Sequence, residues 1–128
     1  MLQEIALYLQ SLSLGALGTD LFISLMPDEP DNAACLYQYA GKESDYTLDG
    51  EREADKPGLQ VVVRGVTHAL AEARMNSLFQ ILSGLHNTSL SGVQYYSILA
   101  IASPFTLGID ARQRHKLAVN FAVTRQDA

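Results

Sequence analysis

A chain of 128 residues with 48% hydrophobic and 18% charged side chains fits one globular domain and is not a disordered segment. Its net charge of −5 and pI near 5.0 exclude a general nucleic-acid binder, which needs a basic face. Cys35 is the single cysteine, so an internal disulfide is excluded and a reducing compartment is implied.

The first residues, "MLQEIALYLQSLSLGALG", are apolar enough to suggest a signal peptide. The first basic residue, however, is Lys42, and Glu4 stands where a positive leader would begin. No apolar run reaches the length of a membrane span. The expectation is a soluble chain in the cytoplasm, with no leader to remove and no membrane contact. Leu2, Ile5, Ala6, Leu9 and Leu12 recur at helical spacing and predict a helix over 2–13, stopped by Gly15 and Gly18. "DLFISLM" predicts a strand with Leu21, Ile23 and Leu25 on one face, ending at Pro27. "PDEPDN" is turn chemistry, and "AACLYQY" predicts a second strand with Cys35, Tyr37 and Tyr39 on one face.

Residues 41–58 show no apolar periodicity and read as a long loop closed by Pro57-Gly58. Glu43, Asp45, Asp49, Glu51, Glu53 and Asp55 face only Lys42, Arg52 and Lys56 there, which concentrates the acidity of the chain in one place. "LQVVVRGV" predicts a third strand with Leu59, Val61 and Val63 inward and Gln60 and Arg64 outward. Thr67 can cap a helix whose buried stripe is Leu70, Ala73, Leu78, Ile81, Leu82 and Leu85, with Gly84 ending it. A short strand, a Ser91-Gly92 turn and a long strand over 93–103 follow. Pro104 breaks the pairing. A last strand over 114–125 alternates Leu117, Val119, Phe121 and Val123 inward. The strand at 59–66 should have the strands at 93–103 and 114–125 among its neighbours. The implied fold class is α+β, an antiparallel sheet with two α-helices packed on one face, in one domain over 1–128.

No constellation of reactive groups accompanies this fold. Asp45, Thr47, Asp49 and Gly50 mimic the start of a calcium loop, but its twelfth position, which needs a bidentate glutamate, holds Lys56. His68, His86 and His115 fall on different elements without ligand spacing to Cys35. Cys35 itself reads as a buried, inert thiol. No G-x-S-x-G elbow is present, and "GALG" lacks the preceding strand of a phosphate-binding loop. Tyr95 and Tyr96 point to opposite faces of a strand and cannot form one stacking platform. The reading is a protein that is not an enzyme, with no catalytic residue, no metal and no cofactor.

"GTDLFISLMPDEPDNAACLYQY" and "SPFTLGIDARQRHKLAVNFAV" together resemble the phage minor capsid protein family, the tail terminators or tail-to-head joining proteins of long-tailed bacteriophages. The second stretch is the more specific, through Ser103-Pro104, Leu107-Gly108, Asp110, Arg114 and Asn120-Phe121. The first contributes Gly18, Asp20-Leu21-Phe22, Pro27, Pro30-Asp31, Leu36 and Tyr37, and Pro57, Val61, Val63, Arg64 and Gly65 match a central strand. The resemblance implies the same α+β fold and a six-membered ring on the head-proximal end of the tail tube. Its implied partners are further copies of the chain, the tail tube protein and a stopper or connector protein of the head neck, in a virion assembled in the host cytoplasm. DNA would pass through the lumen without specific binding, which suits an acidic protein. Another neck component, an adaptor or a stopper, and a dimeric ligand-binding α+β module of the host remain as alternatives.

The acidic stretch belongs in that context. A structureless loop of such length is uncommon in a compact domain unless it is functional, and Tyr46 and Leu48 are its only sizeable apolar side chains. It reads as an arm that orders on assembly. Its candidate subunit or partner interface is Asp45, Tyr46, Asp49, Glu51, Arg52 and Glu53, with Tyr46 as the apolar anchor.

Overall fold

A computed structural model describes residues 1–42, 45–46 and 52–126. Helix α1 spans Leu2–Ser11, strands β1 Leu21–Ile23, β2 Ala33–Tyr39, β3 Asp45–Tyr46, β4 Arg52–Asp55 and β5 Gly58–Gly65 follow, and helix α2 spans His68–Leu82. Strands β6 Leu85–Leu90, β7 Val93–Ala100, β8 Phe105–Ile109 and β9 His115–Gln126 complete the described residues.

The twelve-residue strand β9 organises the sheet. Along one of its edges run β5, with Leu59 opposite Phe121 and Val63 opposite Leu117, and then β4, with Asp55 opposite Arg125. Along its other edge run β7 and β8. The neighbours of β5 are therefore β2 and β9, and the expected pairing of β5 with the strand after Gly92 does not occur. A strand long enough to hold two partners end to end on each side intervenes between them. The sheet is also not wholly antiparallel: β1 pairs with β2 in parallel. Residues 24–32 carry the chain back over the sheet, so β2 runs in the direction β1 had.

The inward set expected from alternation is correct. Leu59, Val61, Val63, Leu117, Val119, Phe121 and Val123 are all buried, in one core cluster with Ile5, Ala6 and Leu9 of α1 and Leu78 and Leu82 of α2. The stripe of α2 is rotated from the expected one: Ala71, Met75, Leu78 and Leu82 are buried, while Leu70 is 53% exposed. The cause lies at the start of the helix. Thr67 Oγ1 accepts the Leu70 amide at 3.2 Å, and the first turn then lies so close to β5 that a Cβ on Gly65 would come within 3.1 Å of Ala71 Cβ. Only a small side chain fits at that contact, so Ala71 faces the sheet and Leu70 turns away. Leu85 belongs to β6 and not to the helix. The Ser91-Gly92 turn between β6 and β7 forms as expected, with φ of 51° and 82°.

Strand β1 stops at Ile23, short of the expected end at Pro27, and β8 was not anticipated at all. The stretch 41–58 is not a structureless loop. β3 pairs with β4, and the β4 register on β9 continues that of β5 without a slip. Two further bonds bridge the gap: Lys42 donates to the Lys56 carbonyl at 2.9 Å and Val123 to that of Pro57 at 3.1 Å. The segments before and after the acidic stretch are thus the two legs of one long hairpin. Proline at 57 interrupts the ladder, because it has no amide to donate.

Candidate partner interface

The base of this hairpin is fixed by a polar network on the inward face. Arg125 of β9 lies between Asp55, its cross-strand partner on β4, and Tyr95, its partner on β7. Its Nε donates to Asp55 Oδ2 at 3.1 Å, Nη2 lies 3.0 Å from the same oxygen and Nη1 lies 3.4 Å from Glu4 Oε1 of α1. The fully buried Tyr95 donates its hydroxyl to Glu4 as well. Burial, and then the hydrogen bond to Glu4, push the Tyr95 phenol far above its ordinary value, so it remains a donor. The N-terminal amine lies 3.7 Å from the same carboxylate. Helix α1, β7, β9 and the arm are joined at one point. Arg125 therefore holds two carboxylates together.

A second network fixes the segment between β1 and β2. Arg64, expected to point to solvent, is 3% exposed. It points away from the core but under residues 27–31, donating to the carbonyls of Pro27 at 2.7 Å, Pro30 at 2.6 Å and Asp31 at 3.2 Å. Arg114, 5% exposed, donates to the Asp28 carbonyl at 2.5 Å, to Asp28 Oδ1 at 2.9 Å and to Asp110 Oδ2 at 2.8 Å. Asp110 Oδ1 accepts the amides of Arg112 and Arg114 at 3.0 and 2.9 Å. The Arg114 amide, helped by its guanidinium and by the Arg112 amide, holds the Asp110 carboxyl below its ordinary value. Arg112 reaches Asp28 at 2.9 Å and Glu29 at 3.0 Å. Three arginines thus clamp the "PDEPD" turn across the sheet.

Beyond these networks the described surface exposes large apolar side chains at several places, and five of them fall in β7, β8 and the residues between. Leu99, Ile101, Phe105, Leu107 and Ile109 are 41–62% exposed. Leu99 stands opposite Ala122 and Phe105 opposite Ala118, on the face away from the inward set. A groove of about 310 Å³ on that face, beside the arm, is lined by Tyr39, Gly41, Pro57, Leu99, Ile101 and Ala122 among others. Tyr39 crosses β5 to donate its hydroxyl to the Phe121 carbonyl at 3.1 Å. Tyr37, also on β2, is pushed up to about 12 by burial and by its hydrogen bond to Cys35. Burial raises the thiol of Cys35 in turn.

Of the residues expected to meet a partner, Asp45 and Tyr46 lie in β3 and Arg52 and Glu53 in β4, on the two facing legs of the arm. Asp49 and Glu51 fall outside the described residues, as do Thr47 and Gly50 of the calcium-like pattern. Reading the sequence missed the two networks and the apolar region. Arg64 keeps the apolar-in, polar-out alternation and Arg125 breaks it at the end of β9, and nothing local signals that a neighbouring loop or helix supplies acceptors above either. The alternation in "FTLGI" was hidden by Pro104 and Gly108. His68 and His115 do meet, edge to face at 5.8 Å, with His68 Nε2 2.9 Å from Glu72. Among the described residues no three His, Cys, Asp or Glu side chains gather as a metal site would require, and no helix is long and apolar enough to cross a membrane.

Known proteins give this architecture a context. A solved structure described as the virion of a native gene transfer agent particle contains a chain with the same fold. Its TM-score is 0.69 at 16% identity, covering 97% of this chain and 94% of that one. No curated protein sequence matches the chain. The family described as bacteriophage tail terminator protein matches residues 8–127, nearly the whole length, and the chain belongs to that family.

Proposed function

We propose that the protein forms a six-membered ring on the head-proximal end of the tail tube, stops tube polymerisation there and offers the opposite side of the ring to a stopper or connector of the head neck. The observation that carries this reading is the family match over residues 8–127. In this account the chain acts as one domain in the virion, assembled in the host cytoplasm, and its role is structural and not enzymatic. Residues of both helices lie in the core cluster with the inward set, and in this account the other face and the sheet edges are left for partners. DNA slides through a lumen that an acidic protein does not make adhesive.

The arm is the second part of the proposal. Asp45, Tyr46, Asp49, Glu51, Arg52 and Glu53 contact a neighbouring protein of the tail or neck. The clamped base supports this, because a rigid foundation lowers the entropy lost when the arm docks. A charge pair at a solvated rim contributes only about 0–1 kcal/mol, so in this account Tyr46 carries the apolar contact. Amine cross-linking of assembled tails tests the ring. A ladder ending at six subunits is expected, and one ending at two contradicts it.

A further inference from the structure

The register of four strand pairs aligns one row of residues across the whole sheet: Phe22, Cys35, Val62, Ala118 and Phe105, on β1, β2, β5, β9 and β8 in that order. β1 and β8 are the two lateral ends of this row. β8 meets no strand except β9 among the described residues. At β1, the main chain of Leu21 is occupied by Ala16 and Gly18, and the chain beyond it runs on to Leu25, which is 74% exposed.

The β8 end is apolar and, among the described residues, unguarded, while the β1 end is covered by residues 16–18 at Leu21 and apolar beyond it at Leu25. Open strand edges are ordinarily blunted by lysine, proline or an inward charge. "FTLGI" and "LFISL" carry no charge and no proline. Phe105, Leu107 and Ile109 expose 41%, 50% and 55% of their surface at one end. At on the order of 100 Å² of apolar surface apiece, the three side chains from one copy and Leu25 from the next bring together roughly 400 Å², about a quarter of the about 1,600 Å² that a standard interface buries in total.

We infer that the β8 edge of one copy packs against the β1 end of the next copy, Leu107 and Ile109 meeting Ile23 and Leu25. A second copy is the occupant because a single contact then covers both apolar ends, one from each subunit. A foreign partner would have to cover two surfaces on opposite sides of the sheet. The contact joins different surfaces, as a ring requires, and it closes when the rotation between neighbours divides a full turn; each subunit contributes the same two ends.

This inference rests on the ring reading, and the experiment separates the two. The variant Leu25→Cys/Leu107→Cys is assembled into tails and oxidised. Within one subunit β1 and β8 are four strand spacings apart, roughly 19 Å, which no disulfide spans. Cys35 is 0% exposed and does not compete. The double variant is expected to give a disulfide ladder up to the closed ring, and each single variant none. Leu107→Asp should keep the melting temperature of the isolated protein and abolish the ring. Disulfide dimers from Leu107→Cys alone would overturn the inference by showing like edges in contact. So would a double variant that stays monomeric under oxidation while amine cross-linking still gives a closed ring. If amine cross-linking of unaltered tails gives no closed ring, the ring reading itself falls.

Discussion

Asp55 and Arg125 stand directly opposite one another at the root of the arm, and Arg125 also reaches Glu4 of the first helix. Removing the guanidinium takes away the cation that joins the Asp55 and Glu4 carboxylates, a change that outweighs the loss of one contact. Arg125→Met should destabilise the protein by about 2 kcal/mol, read as a lower urea midpoint with an unchanged slope. It should also raise hydrogen exchange at residues 45–55 more than at β5. Uniform exchange along the hairpin would contradict the role given to Arg125.

Arg64 supplies donors to three carbonyls of the turn after β1. Arg64→Met fits the same space and leaves those acceptors without a protein partner. The expected loss is about 3 kcal/mol, measurable by chemical denaturation. A variant as stable as the parent would mean that water satisfies the turn equally well.

Phe121 is 0% exposed and packs on Phe79 with ring centroids 6.1 Å apart. Phe121→Asp empties a core site and buries a charge, so a loss above about 4 kcal/mol is expected. An unchanged melting temperature would show the β9 register to be wrong, since a slip of one residue exchanges its two faces.

Asp110 gives a pH dependence whose sign follows from its depressed carboxyl. The folded protein keeps this group charged to lower pH than the unfolded chain does, whose ordinary value is 3.8. Its contribution is complete above that value and is lost as pH falls through the lower folded value. Asp110→Asn should therefore be less stable than the parent at neutral pH, with the difference shrinking below about pH 4. A constant difference from pH 7 to pH 2 would contradict the assignment.

The long strands were legible because one face of each is buried, and that imposes a period of two on "LQVVVRG" and "HKLAVNFAV". Thr67 and Ser91-Gly92 were legible because caps and tight turns depend on one or two residues. The long-range placements were not. Pro27, Pro30-Asp31, Arg64, Asp110 and Arg114 were visible only as scattered parts of a family pattern. The structure gathers them into one clamp, and the 33–86 residues that separate Arg64 and Arg114 from the turn carbonyls they hold explain why no local rule finds it. The acidic stretch looked structureless because its pairing to β9 is made by backbone, which leaves no apolar rhythm to read.

Shortening the arm tests its role independently of stability. Replacing residues 44–53 by a Gly-Ser turn keeps Ala54, which is 5% exposed, and the Asp55–Arg125 pair. The isolated protein should melt as before, while tails built with it become overlong or fail to join heads. Normal tails would show that the arm has no partner.

The proposed function is to end tube growth, and adding purified protein to polymerising tail tube protein tests it without the rest of the virion. The account predicts that tubes stop elongating at one end, with length set by the time of addition, and that the protein is found at that end by electron microscopy. Tubes that elongate at the same rate with the protein bound or absent would contradict it.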